Sequence, residues 1–309
     1  MFKNAFILSV IALAFAAGNP QHAYASIFQN ISDLEDSVGF GATSPFDAVG
    51  LLVGTDANGD SFVAGSGVLI DANYVLTAGH VLFDEPNLQW ESLRFFNNPD
   101  VLGGDLNDFI EIDLTVPFPG FTGSEAGGGT GNDIGLARLS SPINNVAAAT
   151  LFDGPDNGLV GAEFITAGYG NPGVFGNVGA FDGIRRGGRN TIDSAGASFG
   201  VSTVEEQFFV ADLDLSSSDN PLPLEWAGSQ NDSGSPWFVD VNGEYQIVGI
   251  TNGGLVGNTQ TFGIRTALYN DFINETIQAN SVPEPGAMGL LTLGLMGIAM
   301  RRRKGESHA

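Results

Sequence analysis

Gly65-Ser66-Gly67-Val68-Leu69-Ile70 and, a few positions on, Val75-Leu76-Thr77-Ala78-Gly79-His80-Val81-Leu82 decide how this 309-residue chain is read. Both runs are rich in β-branched and apolar residues, and Asp71-Ala72-Asn73 between them has turn chemistry. Neither shows a helical period, so the pair predicts two short strands, the second ending in a histidine. Taken alone, a histidine capping an apolar strand is an ordinary structural residue. Its isolation gives it weight: of three histidines, His22 lies in an N-terminal leader and His308 in a C-terminal tail. A group that must exchange a proton near neutral pH has essentially one candidate in the body, His80.

Outward from this pair the pattern repeats. Short apolar or alternating runs at 47–53, 62–70, 73–78, 110–116, 134–139, 162–168, 207–213, 236–241 and 245–251 are separated by Gly, Asn, Asp and Pro. Many short strands with turn residues between them indicate an all-β barrel or sandwich. One helix-like run spans Thr266 to Ala279, and segments 98–130, 170–200 and 214–225 look like long surface loops.

Two further islands stand at Asn132-Asp133-Ile134-Gly135-Leu136-Ala137-Arg138-Leu139 and Gln230-Asn231-Asp232-Ser233-Gly234-Ser235-Pro236-Trp237. Each alone reads equally well as a turn beside a strand. Together, GSGVLI with VLTAGHVL, NDIGLARL and NDSGSP resemble the trypsin/chymotrypsin family of serine proteases, over roughly residues 44–275. The order His, Asp, Ser is that family's order. The gaps, 133 − 80 = 53 and 233 − 133 = 100 residues, suit two successive barrels.

The resemblance implies two packed six-stranded antiparallel β-barrels with a short C-terminal helix. It assigns residues 26–145, with His80 and Asp133, to the first barrel and 146–281, with Ser233, to the second. It implies a Ser-His-Asp acyl-enzyme mechanism on protein or peptide substrates. Ser233 would be the nucleophile, His80 its base, and Asp133 the group that orients His80. The backbone amides of Asn231 and Ser233 would form the oxyanion hole.

The sequence departs from the family in places. Asn231 stands where glycine is usual, although Asn tolerates unusual backbone angles. That change leaves open a second reading, a catalytically weak binding protein of the extracellular matrix. Ser235 replaces a second glycine. Ala227, six positions before Ser233, falls at the base of the family's primary specificity pocket; without a carboxylate there, apolar or small side chains are expected over Lys or Arg.

Between Lys3 and Arg94 there is no Lys or Arg, which excludes tryptic self-activation. Ser37-Val38-Gly39-Phe40-Gly41 faintly resembles the family's processed N-terminus, whose amine pairs with the aspartate before the nucleophile, here Asp232. Internal satisfaction of Asp232 is the other expectation.

The ends carry addresses. Lys3, the apolar run 5–17 and Ala23-Tyr24-Ala25 predict a cleaved signal peptide over residues 1–25. At the other end, Val282-Pro283-Glu284-Pro285, the apolar stretch 286–300 and Arg301-Arg302-Arg303-Lys304 resemble a PEP-CTERM sorting signal over 282–309. That resemblance implies a membrane-linked tail, an exosortase-type processing partner, and delivery to the surface or matrix of a Gram-negative bacterium.

Without both ends the body carries 11 − 5 = 6 basic and 35 − 2 = 33 acidic residues, a net charge near −27. Nucleic-acid binding, which needs a basic footprint, is excluded. With no cysteine, stability must come from the core. No cofactor is expected. Structural calcium is left open by the Asp56-Ala57-Asn58-Gly59-Asp60 loop, which reads more simply as a hairpin turn.

Overall fold

The computed structural model describes residues 26–85, 88–121, 132–196, 207–215, 220–254 and 259–280. The signal peptide and sorting tail lie outside the described residues. The chain divides into a main unit ending at Phe272 and a second beginning at Ile273, inside the C-terminal helix Asn270–Asn280. Of the second unit only the end of that helix is described; there Asn280 Nδ2 donates to the Thr276 carbonyl at 2.9 Å.

Within the main unit, six antiparallel strands close into a barrel in the order Val49–Thr55, Ser61–Asp71, Tyr74–Thr77, Gly135–Leu139, Ile110–Pro117, Ser92–Phe96. The Asp56–Asp60 loop is the hairpin turn that joins the first two. Asp56 Oδ1 accepts the Asn58 and Asp60 amides at 2.9 and 2.8 Å, so the carboxylate is spent on holding the turn. Among the described residues no group of three or more His, Asp or Glu could hold a metal ion.

The second half forms an eight-stranded sheet. Its core pairs are Glu163–Gly168 with Pro236–Val241, that strand with Glu244–Gly254, and the latter with Gln260–Arg265. Unlike the first barrel, it is an open half-barrel among the described residues. The nine strand runs expected from the sequence all coincide with strands. The helix-like run Thr266 to Ala279 resolves into a 3-10 turn, Thr266–Tyr269, followed by the α-helix.

One expectation is corrected. The 170–200 segment is not simply loop: Arg186–Thr191 is a strand along Glu163–Gly168. Its glycines allow close approach; a Cβ on Gly187 would meet the Gly41 amide at 2.9 Å, and one on Gly188 would meet Trp226 Cβ at 2.4 Å. Ser37–Gly41 is helical in the uncleaved chain. It lies in the helix Ile31–Gly41, capped by Asn30, whose side chain accepts the Asp33 amide at 3.0 Å.

Trp237 anchors the second core. It is fully buried, stacks on Phe164 with ring centroids 4.1 Å apart and planes at 5°, and donates from Nε1 to Thr251 Oγ1 at 2.9 Å. Gly263 makes room for it, since a Cβ there would lie 2.9 Å from the indole. Trp237→Ala is expected to lower unfolding free energy by about 3–5 kcal/mol through lost burial and the cavity left behind. Urea titration of both proteins checks this; a loss under about 1 kcal/mol would remove Trp237 as the anchor.

Candidate active site

The strand pair that opens the sequence reading delivers His80 as expected. Tyr74–Thr77 ends the strand, and a 3-10 turn, Gly79–Leu82, carries the imidazole out of the barrel wall. Asp133 lies two residues before the neighbouring strand Gly135–Leu139, which pairs Thr77 with Gly135. The register therefore sets aspartate beside histidine across a strand boundary. Gly79 lets them close up, because a Cβ there would lie 3.0 Å from Asp133 Oδ1.

Asp133 is wholly buried and accepts from three donors: the His80 amide on Oδ1 at 2.6 Å, His80 Nδ1 on Oδ2 at 2.6 Å, and Asn252 Nδ2 on Oδ2. A carboxylate can only accept, so Nδ1 carries the proton and Nε2 is left as the acceptor. Burial pulls the His80 pKa down, but the charge and hydrogen bond of Asp133 outweigh it, and the net direction is upward from 6.5.

Ser233 comes from the other half of the fold. Its Oγ lies 3.5 Å from the Asn252 carbonyl, so Asn252 touches the serine with its backbone and the aspartate with its side chain. Ser66, in the strand before His80, docks the serine loop: its amide donates to the Ser233 carbonyl at 2.8 Å and its hydroxyl to the Asn231 carbonyl at 3.0 Å. Gly65 permits that approach, since a Cβ there would lie 2.7 Å from the Ser233 carbonyl oxygen. The next turn is closed by Gly234, at φ +88°, whose amide donates to the Thr251 carbonyl at 2.8 Å.

Asn231 adopts φ +76°, the left-handed conformation for which glycine is the default residue. Asp232 is buried among four donors: the Gly170 and Ser229 amides and the hydroxyls of Ser229 and Ser26. Burial pushes its pKa up to about 6 against the pull of these bonds. Ser26 opens a buried strand, Ser26–Phe28, held between Pro172–Val174 and Trp226–Ala227. Ala227 is buried and pairs with Ile27 in that sheet. Beside it, a Cβ on Gly228 would meet Thr261, Trp226 and Thr251 side chains.

His80 and Asp133 are thus in direct contact, and Ser233 joins them through Asn252. The sequence reading missed Asn252, Ser66 and Ser26. Asn252 is aimed by a register shift between Thr251 and Gly253, which no strand pattern announces.

Residues 281–304 match the PEP-CTERM protein-sorting motif, an export and sorting signal. No curated protein matches the chain. Among the described residues no helix is long and apolar enough to cross a membrane, and the apolar stretch 286–300 lies outside them. Residues 49–273, which hold His80, Asp133 and Ser233 together with the loops that dock them, match the trypsin family, and the chain belongs to that family of serine proteases.

Proposed function

We propose that this is an exported serine endopeptidase that cleaves peptide bonds through an acyl-enzyme formed on Ser233. The observation that carries the reading is the doubly held Asp133–His80 pair, which leaves Nε2 as the only basic ring nitrogen. In the forward step Ser233 Oγ attacks the peptide carbonyl carbon while His80 Nε2 takes the hydroxyl proton. The tetrahedral intermediate collapses as that proton passes to the departing amine. Water, deprotonated by the same nitrogen, then releases the acid.

Oxyanion stabilisation falls to the Asn231 and Ser233 amides. The Gln230 carbonyl accepts the Asn171 amide at 3.0 Å and the Asp232 carbonyl the Ser235 amide at 2.9 Å. Each trans peptide therefore turns its N–H away from those partners. The positive φ of Asn231 supports catalysis over the binding-protein reading, because the residue takes the backbone form of the glycine it replaces. Ala227 and the threonines near it offer no carboxylate, which supports apolar or small side chains before the scissile bond. The sorting tail would be handled by an exosortase-type enzyme, with the body displayed at the surface of a Gram-negative cell or in its matrix.

A biotinylated fluorophosphonate tests the chemistry. The folded body should acquire one adduct, on the peptide that contains Ser233, and His80→Ala should acquire none. His80 must be neutral to accept the proton, and Asp133 raises its pKa. The labelling rate should therefore rise with pH, with a midpoint above 6.5. No adduct on well-folded wild type would favour the binding-protein reading, and a midpoint below 6 would show that Asp133 does not set the titration.

A further inference from the structure

Asn231 raises a question that its φ alone leaves unanswered: what holds a non-glycine residue in the left-handed region beside the nucleophile? Asn visits that region more readily than most residues but is not confined to it. Its side chain supplies the constraint. Asn231 Nδ2 donates to Asn171 Oδ1 at 3.0 Å, across 60 residues of sequence. The backbone of Asn171 engages the same loop, its amide donating to the Gln230 carbonyl at 3.0 Å and its carbonyl accepting the Ser229 hydroxyl at 3.5 Å. The Asn171 carbonyl also accepts the amide of Ser26, which fastens this corner to the buried N-terminal strand.

We infer that Asn171 is a positioning residue for the oxyanion site, and that its side-chain bond to Asn231 replaces the conformational freedom of glycine. The inference rests on the protease reading above. The peptide joining Gln230 to Asn231 is a rigid plane with its C=O and N–H on opposite sides. Two rotations are open to it. In one, the carbonyl faces Asn171 and the Asn231 N–H faces the other way, free to meet a developing oxyanion. In the other, the plane turns over and presents a carbonyl oxygen where the donor should be. The first needs Asn231 at positive φ. The Asn171–Asn231 bond accompanies that form, with Asn231 at φ +76° and the Asn171 amide on the Gln230 carbonyl, and so biases the loop toward the competent arrangement. Asn171 contacts neither substrate nor reacting atoms; it acts through Asn231.

The test is a double-mutant cycle at positions 171 and 231, read on a peptide p-nitroanilide with leucine before the scissile bond. Asn171→Ala should lower kcat by about tenfold with KM within a factor of about two, because a misplaced donor is felt in the transition state. Asn231→Gly keeps the backbone N–H but removes the side-chain bond, and its own kcat and KM are the reference for the double variant. In the Asn231→Gly background Asn171→Ala should cost less than about threefold, since glycine needs no side-chain bond to sit at positive φ. Asn171→Asp keeps an acceptor oxygen and should retain kcat, which serves if the alanine variant folds poorly.

Amide exchange of the peptide spanning residues 229–235 gives a readout that needs no turnover: faster in Asn171→Ala, unchanged by that substitution when residue 231 is glycine. A tenfold kcat loss that persists in the Asn231→Gly background would assign Asn171 a general structural role and overturn the proposal, as would unchanged kcat and exchange in Asn171→Ala. If wild type neither turns over nor takes the fluorophosphonate, the protease reading falls, while the exchange measurement still decides the Asn171–Asn231 bond.

Discussion

Ser233→Ala is expected to reduce kcat on peptide substrates by about 10^6-fold while leaving KM within a few-fold. The serine is half-buried and its Oγ makes one hydrogen bond among the described residues, to the Asn252 carbonyl at 3.5 Å, so removing it should disturb little structure. What disappears is the covalent route. Without an oxygen to carry the acyl group, His80 can at best activate water, and the oxyanion donors and substrate contacts keep only a residual advantage over solution. Steady-state hydrolysis by wild type and variant, alongside thermal unfolding to show equal stability, makes the comparison. Retention of more than about one part in a hundred of wild-type kcat would remove Ser233 as nucleophile.

Asp133→Asn should cost about 10^4-fold in kcat, and the hydrogen-bond geometry says why. Oδ1 receives the His80 amide at 2.6 Å, and a backbone N–H can only donate. An asparagine must place its own oxygen there, which sets its NH2 where Oδ2 now accepts from His80 Nδ1 and from Asn252 Nδ2. Facing a donor, the imidazole moves its proton to Nε2, the nitrogen that should take the proton of Ser233. The Asn252 amide is left donor against donor. The loss should appear in kcat, and the fluorophosphonate reaction should slow in parallel. A variant within tenfold of wild type would mean that Asp133 is structural only.

Much of this was legible in the sequence because strands announce themselves by alternation and their ends by turn residues. The strands that deliver His80 and Asp133 are of that kind, and so is Pro236–Val241 after the serine. The helix Ile31–Gly41 was hidden by its two glycines and by a weak apolar face that buries Ser37 and Gly41. Arg186–Thr191 was hidden because its glycines were read as loop, whereas here they allow backbones to meet. Asn252 and Asn171 were beyond reach for another reason. One is aimed by an irregularity in pairing and the other meets its partner only once distant loops converge, so neither leaves a local trace.

The scarcity of positive charge has a consequence for survival. Between residues 26 and 281 there is no lysine and there are six arginines. Five are ion-paired, with Glu111, Asp113, Asp182, Glu163 and Asp156, and Arg185 is buried, donating to the Gly41 and Val49 carbonyls. Five stand in strands, and Arg185 directly precedes one. A peptidase that cuts after arginine needs an extended, accessible segment in its groove, and the folded body holds these bonds within sheet ladders. Digestion by such an enzyme must wait for the sheets to open, so the body's lifetime in its company is set by unfolding rather than by the number of its cleavage sites.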